Sequence, residues 1–471
     1  MSYQVPQHID HSNVFLVNLS ELEGRLDPIF YGANFTKFFK HPRSIRLKDV
    51  CLNFSSGFGA GKDEQTIAEN GYIQIRPTNI DCDGFLRFDK NVYVPFQQRA
   101  SFVKRNTVLF NNTNSQELVG KTAIVLNDSQ LYTSNHITSI IVNESAIKAE
   151  YLWIILNIYQ RNNVFYSICT NWNNQSGVGV DLLQSIRIPV LSVEDQDEIV
   201  NLYSSAYNKK HQKEQQAEAL LHSIDDYLLD ELDIQLPEMK SPTLQDRMFV
   251  VNFSYASGER LDPMFYTSQF SNIVAKLHDT TICKRLGQIA HFSTEVWNQK
   301  DYYEKEFPYI EIGAINIPHG KIEDVSLIPV EQAPSRARVI VRTGDIIIST
   351  TRPDRGAIIK ISENENLYIA STGFSVIRDV DSDINPDYLL AILRHKLILM
   401  QMRQRSTGGN YPAITQEELS KIIIPILPLS KQKEIVEHIS AIRKQAKALQ
   451  EEGKTILEQA KKEVEQMILG N

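Results

Sequence analysis

The residues best suited to chemistry lie around Lys62, in "SGFGAGKDEQ". A phosphate-binding loop needs GxxxxGK followed by Ser or Thr, so that backbone amides cradle the phosphates and the hydroxyl holds magnesium. Here Ser56 stands at the first glycine position and Asp63 at the hydroxyl position, so the stretch reads as a surface loop. "RPDRGAIIK", near Asp354, pairs an acid with Lys360 but lacks the second carboxylate that a nuclease site would need. His136 and His395 stand alone and are expected to be packed or exposed. No HExxH, GxSxG or GxGxxG occurs, nor the Asn/Asp-Pro-Pro-aromatic motif of methyltransferases acting on exocyclic amines. Cys51, Cys82, Cys169 and Cys283 form no CxxC pair and read as reduced thiols, without zinc or disulfides. The expectation is a non-catalytic chain with no cofactor and no metal.

What must such a chain position instead? At 471 residues, two to four domains are the natural prior. With 42% hydrophobic and 23% charged residues it reads as globular. The start, "MSYQVPQHIDHS", lacks the pattern of a signal peptide, and no apolar run is long enough for a membrane helix, so a cytoplasmic protein is expected. The dominant feature is a repeat. "RLDPIFY" from Arg25 returns as "RLDPMFY" from Arg260, and "FLVNLS" from Phe15 as "FVVNFS" from Phe249. "YIQIRPTNI" (Tyr72) matches "YIEIGAINI" (Tyr309), and "LYTSNHITSIIV" (Leu131) matches "LYIASTGFSVIR" (Leu367). "YLWIILN" (Tyr151) matches "YLLAILR" (Tyr388), and "IRIPVLSVEDQDEIV" (Ile186) matches "IIIPILPLSKQKEIV" (Ile422). In chain order the offsets are 234, 235, 237, 236, 237 and 236, so the chain is a collinear tandem duplication.

Each copy opens with short β-branched runs between Gly, Asn and Pro turns, plus one helical segment near Tyr151 or Tyr388: a mixed α/β globule. After Pro189 or Pro425 a long proline-free stretch follows, with Ser192 and Ser430 as the expected N-caps. The second stretch spaces Ile435, Ile439, Ile442, Ala446, Leu449, Gly453, Ile456 and Ala460 by fours and threes, a heptad seam. The first carries Ile199, Tyr203 and Ala206, then Ala217, Leu220, Leu221, Ile224 and Leu228, around a polar "NKKHQKEQQ". Each helix would run about 38 residues, roughly 57 Å. The simplest arrangement packs them as an antiparallel coiled coil, related by a pseudo-two-fold axis, with a globule at either end.

The repeated "RLDP-(I/M)-FY", the half-length duplication, and the junctions Pro189 to Gln196 and Pro425 to Gln432 together resemble the specificity (S) subunits of Type I restriction-modification enzymes, across nearly the whole chain. One departure is that copy two has "STGGNYPAI" where copy one has "NNQSGVGVD", without Tyr-Pro. The resemblance implies target-recognition domains at 1–191 and 249–428, a central long helix at 192–234, a linker at 235–248 and a distal long helix at 429–471. It also implies double-stranded DNA as ligand, each globule reading half of a split target about one helical turn, ~34 Å, from the other. Two methyltransferase (modification) subunits would dock on the helices, joined by motor-nuclease (restriction) subunits for cleavage. Changing the helix length should change the gap between half-sites.

Such a role needs local positive charge, because 49 Lys+Arg against 57 Asp+Glu leave the chain at −8. Between Ser335 and Lys360, Arg336, Arg338, Arg342, Arg352, Arg355 and Lys360 oppose only Asp345 and Asp354, a net +4. Arginine suits phosphate and guanine, Asn and Gln suit adenine, and glycine admits close approach to a phosphate. The candidates in copy two are Arg336, Arg338, Arg352, Arg355, Arg403, Arg405, Ser406, Thr407, Gly408, Gly409, Asn410 and Tyr411. Those in copy one are Arg76, Lys104, Arg105, Asn111, Asn112, Asn173, Asn174, Gln175 and Ser176. Positions shared by both copies, such as Asn79 with Asn316 and Tyr31 with Tyr266, are expected to be framework or methyltransferase-docking residues. Specificity should lie where the copies differ. The rival reading is a protein–protein adaptor with two α/β binding domains and no DNA role, and salt dependence of DNA binding would separate the two.

Overall fold

Ile137–Val142 is a β-branched strand, and its pairing organises the first copy. In the computed structural model it lies between Cys51–Ser56 and Val108–Asn111, with Thr122–Ile124 at the far edge, all antiparallel. The second copy repeats this sheet with Ala290–Phe292, Phe374–Val380, Ile346–Ser349 and Ile358–Lys360. Each copy has a second sheet, three-stranded in the first and four-stranded in the second, built on one parallel pair: Tyr72–Ile75 with Leu131–Thr133, and Glu306–Ile310 with Ile369–Ser371. The structure describes residues 14, 16–19, 39, 41–172, 175–235, 248, 250–253, 260, 262–267, 277, 282–301, 304–318, 320–323 and 325–469. The first heptapeptide with Tyr31, the interior of the linker, and Asn173 and Asn174 lie outside these residues.

Ala149–Arg161 is apolar almost all round, which only a buried helix tolerates; nine of its residues are buried, Tyr151, Trp153 and Tyr159 among them. Its counterpart, Pro386–Arg394, starts on Asn385, whose side chain accepts from Asp387 N at 2.9 Å, with Pro386 in the first turn. The two tyrosines at equivalent positions do the same work. Tyr151 Oη donates to Pro189 O, and Tyr388 Oη to Pro425 O, each at 3.0 Å. These prolines end Arg187–Pro189 and Ile423–Pro425, strands that pair antiparallel with Ser44–Arg46 and Cys283–Arg285.

From each of these strands the chain enters a long helix: the central helix Val193–Glu231, 39 residues, and the distal helix Leu429–Leu469, 41 residues. Ser192 Oγ accepts from Asp195 N at 3.2 Å and caps the central helix as expected. Ser430 does not cap the distal helix. It lies inside the first turn, and Pro428 O accepts from Lys431 N and Gln432 N at 2.8 and 3.0 Å. Pro428 is the residue 236 positions after Ser192, so the repeat register, not the nearest serine, locates the cap.

The chain forms two compact units, and the first is not contiguous: it joins Met1–Lys213 with Glu451–Asn471, while the second is Glu214–Gln450. In the first, Ile199, Tyr203 and Ala206 of the central helix share a core with Leu457, Ala460, Val464 and Ile468 of the distal helix. Lys213 pairs with Glu452 at 2.7 Å. In the second, Leu228 and Leu232 share a core with Ile435 and Ile439, and Lys431 pairs with Glu231 at 2.8 Å. Within each unit the helices therefore run antiparallel. Among the expected seam residues Ile435, Ile439, Ala446, Gly453 and Ala460 are buried, while Ile442, Leu449 and Ile456 are half-buried and Leu457 takes the deeper place. No helix among the described residues is long and apolar enough to cross a membrane.

Candidate nucleic-acid interface

In the second unit two loops are zipped together where the candidate residues lie. Thr351 and Thr407 both bridge Ala413, and Thr407 and Ala413 exchange two backbone hydrogen bonds of 2.8 Å. This sets the Arg352 turn beside "STGGNYP". Arg352 N donates to Pro412 O at 2.7 Å, its Nη2 donates to Asn410 O at 2.8 Å, and its guanidinium carbon lies 4.4 Å from the centre of the Tyr411 ring. Arg352 holds a φ of 49°, a left-handed conformation uncommon for a side-chain-bearing residue, and these contacts keep it there. Tyr411 is 71% exposed, and Arg403, Thr407, Gly408, Gly409 and Asn410 are exposed as well. Gly408 has a φ of 106°, which favours glycine at this bend. A guanidinium stacked on an exposed ring, edged by amide and hydroxyl groups, can grip phosphate and stack on a base.

The charge count changes in three dimensions. Arg342 pairs with Glu295 at 2.6 Å, Arg378 pairs with Glu295 and with Asp345 (2.9 Å to the latter), and Lys360 pairs with Asp387. Hydrogen bonds from Arg342 and then Arg378 hold the Glu295 carboxyl down to about 2. The expected +4 is thus corrected: Arg342 and Lys360 are neutralised by acids outside the stretch. Arg336, Arg338, Arg352 and Arg355 remain against Asp354, and they and Arg403 form no ion pair among the described residues.

Arg405 turns inward, a further correction. It is 14% exposed, pairs with Glu418 at 3.0 Å, and lies 5.3 Å from the centre of the Phe265 ring. Burial raises the Glu418 carboxyl, but hydrogen bonds from Lys421 and Arg405 outweigh it and leave it below the usual range. Arg260, from the second heptapeptide, lies on the same ring at 5.4 Å and pairs with Asp262 at 2.7 Å. It donates to Arg405 O and, at 3.3 Å, to Ser406 O, while Gln404 Nε2 donates to Phe265 O at 2.7 Å. The heptapeptide therefore braces the carbonyl end of Lys396–Arg405, from which the STGGNY loop departs; Ser406 Oγ itself turns back to Met402 O at 2.7 Å. Its repetition in sequence marked it as framework, but its partner lies 145 positions away and no local signal names it.

In the first unit the candidates separate. Lys104 and Arg105 are exposed, and Lys104 lines a half-open cleft of 490 Å³ with Arg99, Ser55, Ser56, Phe58 and Tyr132. Gln175 is exposed in a hairpin that pairs Thr170–Trp172 with Gln175–Gly177. Four expected readers point inward instead. Asn111 is fully buried with Nδ2 on Leu118 O (3.2 Å), and Ser176 is buried with Oγ on Asn171 Oδ1 (2.6 Å). Asn112 Nδ2 donates to Thr138 Oγ1 at 2.9 Å, and Arg76 joins Gln74 Oε1 and Ala60 O at 3.0 and 2.9 Å. These side chains satisfy loop and strand-end groups that would otherwise be stranded. Trp172, 46% exposed and lying over Gly177, was not among the candidates; an aromatic residue beside the stretch that the repeat aligns with the one bearing Tyr411 was the available signal. Around Lys62 the loop turns one amide inward, Gly61 N donating to Glu64 Oε2 at 2.8 Å.

Residues 282–459 match the family model for the Type I restriction modification DNA specificity domain. Over 435 residues the chain is 21% identical to a protein named as the MjaX type I restriction enzyme specificity subunit of Methanocaldococcus jannaschii, covering 90% of this chain and 91% of that one. Over 115 residues it is 26% identical to the HindI specificity subunit of Haemophilus influenzae, covering 24% and 25%. Among solved structures, a chain of a type I R-M system described for its assembly and conformational transition aligns at TM-score 0.49 and 16% identity, covering 90% of this chain and 96% of that one. The S subunit of M. genitalium aligns at TM-score 0.40 and 12% identity, covering 92% and 98%.

Proposed function

We propose that the chain is a specificity subunit of a Type I restriction-modification enzyme, as its likeness to that family over residues 282–459 and to a specificity subunit along 90% of its length supports, and that it is a non-catalytic reader of double-stranded DNA that also assembles the complex. Each target-recognition domain, within 1–191 and 249–428, would read one half of a bipartite target. The long helices would set the gap between the halves and carry two modification subunits, to which restriction subunits add. One observation supports this most: the Arg352–Asn410–Tyr411 surface, exposed at Asn410 and Tyr411 and with Arg352 in no ion pair among the described residues, stands where the two copies differ, on a frame where they agree. Shared elements such as Tyr151 and Tyr388 build the scaffold, and the unshared loops are free to read different bases.

The test is co-expression with the neighbouring modification subunit in a methylation-free host, followed by genome-wide mapping of modified bases. A two-part motif with a constant gap, losing one half when the loops of one domain are exchanged, is the expected result. A stable complex that methylates nothing new would favour the adaptor.

A further inference from the structure

The duplication allows one copy to display what a niche in the other accepts. In the first unit the turn at Gly84 (φ 85°) lies against Asn157 of Ala149–Arg161, and Phe85 stacks on Tyr207 of the central helix with ring centres 3.3 Å apart. The same turn carries Asp83, whose carboxylate lies 2.9 Å from Lys210 and 2.7 Å from Lys461. An aromatic ring and a carboxylate of the chain itself fill this niche.

In the second unit the matching glycine is Gly320 (φ 61°), and it lies against Arg394, which follows Asn157 by 237 positions. Arg443 follows Tyr207 by 236. Between isoleucine and glycine, "IPHG" is one residue shorter than "IDCDG" and supplies no acid. A 390 Å³ cavity opens there, lined by Ile317, Leu221, Ile224, Arg394 and Arg443. Arg394 donates to Ile317 O, while Arg443 makes no hydrogen bond or ion pair among the described residues. Burial and then the neighbouring Arg443 press the Arg394 guanidinium down to about 10, and burial lowers Arg443 too, against only a distant pull from Asp387. Glu218 and Asp225 also rim the cavity, but Glu218 faces His222 at 3.7 Å and Asp225 lies 3.6 Å from His395; neither forms an ion pair with the two arginines.

We propose that this niche in the second unit receives an acidic side chain of a partner protein, its carboxylate between Arg394 and Arg443 and its carbons on Leu221 and Ile224. Arginine is the cation suited to such a partly desolvated carboxylate, and the apolar wall of Leu221 and Ile224 suits the carbons of an acidic side chain better than a hydrated DNA phosphate. That the partner is a modification subunit rests on the function proposed above; the clamp itself does not.

The full chain carrying Arg443→Gln, Arg443→Lys or the exposed control Lys444→Gln is titrated calorimetrically with the modification subunit, with a DNA duplex and with a hexaglutamate peptide. Arg443→Gln should weaken assembly about tenfold, Arg443→Lys should recover part of it, and Lys444→Gln should not change it. The melting temperature of Arg443→Gln should equal or exceed that of the parent, because a like-charge contact is relieved. Assembly of Arg443→Gln at parental strength overturns the proposal, as does a variant that loses duplex affinity but still assembles, which marks a phosphate site. If the parent chain fails to assemble, the function proposed above fails. Hexaglutamate bound by the parent and not by Arg443→Gln then upholds the clamp, and equal binding to both overturns it.

Discussion

At the residue scale, Asp83 shows how one side chain can tie a loop to two helices. Burial raises its carboxyl, but hydrogen bonds from Lys461 and Lys210 outweigh that and hold it below the usual range. A carboxyl depressed in the folded state stabilises fully above its unfolded value, near 4, and loses that contribution as pH falls through the folded value. Asp83→Asn should therefore cost about 1–3 kcal/mol at pH 7, since two mostly buried lysines lose the carboxylate they share, and less at pH 3. Urea midpoints at both pH values measure this, and equal midpoints at pH 7 would refute it. Arg352 belongs to the same scale but acts outward. Arg352→Ala should lower duplex affinity about tenfold or more while the melting temperature hardly moves, because its internal bonds reach only an exposed loop. Arg338→Ala, exposed and unstacked, should mainly shrink the salt slope of binding by about one. Parental DNA affinity in Arg352→Ala would remove the surface on which the proposed function leans.

At the element scale the decisive joint is where strand becomes long helix. Gln196 is buried there, its Oε1 accepting from Lys148 N at 2.9 Å and its Nε2 donating to Leu191 O at 3.0 Å. Gln432 repeats this on Asn385 N (2.7 Å), Asp383 O (2.9 Å) and Leu427 O (2.8 Å). Each amide fixes a long helix to the start of the buried helix of its own unit. Replacing either glutamine by leucine strands two or three backbone groups and should cost roughly 2–4 kcal/mol, whereas Lys433→Ala, exposed, should stay within about 0.5 kcal/mol. Chemical denaturation would decide, and a Gln432→Leu variant as stable as Lys433→Ala would refute the joint. This joint was legible in sequence, because a seven-residue spacing from proline to glutamine recurs in both copies and framework repeats. The long helices were legible because three- and four-residue spacing is a local rule. The candidate surface was less so. Asn111 ends the buried strand "VLFN", where composition alone cannot say which side faces water, and Arg342 finds its acid 47 positions upstream in Glu295. Arg405 is claimed by Glu418 and by a heptapeptide ring, partners that only the fold brings together.

At the scale of the whole molecule, the boundary between units does not follow the boundary between repeats. The duplication divides the chain near its middle, yet the first unit needs Glu451–Asn471 from the far end of the second repeat. That segment supplies Leu457, Ala460, Val464 and Ile468 to the core that holds Trp153 and Tyr159, and Lys461 to Asp83. Three large buried aliphatic side chains at about 1.5–3 kcal/mol each are comparable with the whole stability of an ordinary domain, about 5–15 kcal/mol. A chain ending at Gln450 should therefore lose most of the stability of its first unit, although every residue of the first repeat is intact. Its second unit, whose share of both helices lies within Glu214–Gln450, should be nearly unchanged. Amide hydrogen exchange can read both units in one sample. Protection should collapse along Ala149–Arg161 and persist along Pro386–Arg394. Equal protection of Ala149–Arg161 with and without the last 21 residues would mean that the first repeat folds by itself, and that the distal helix only rests on it.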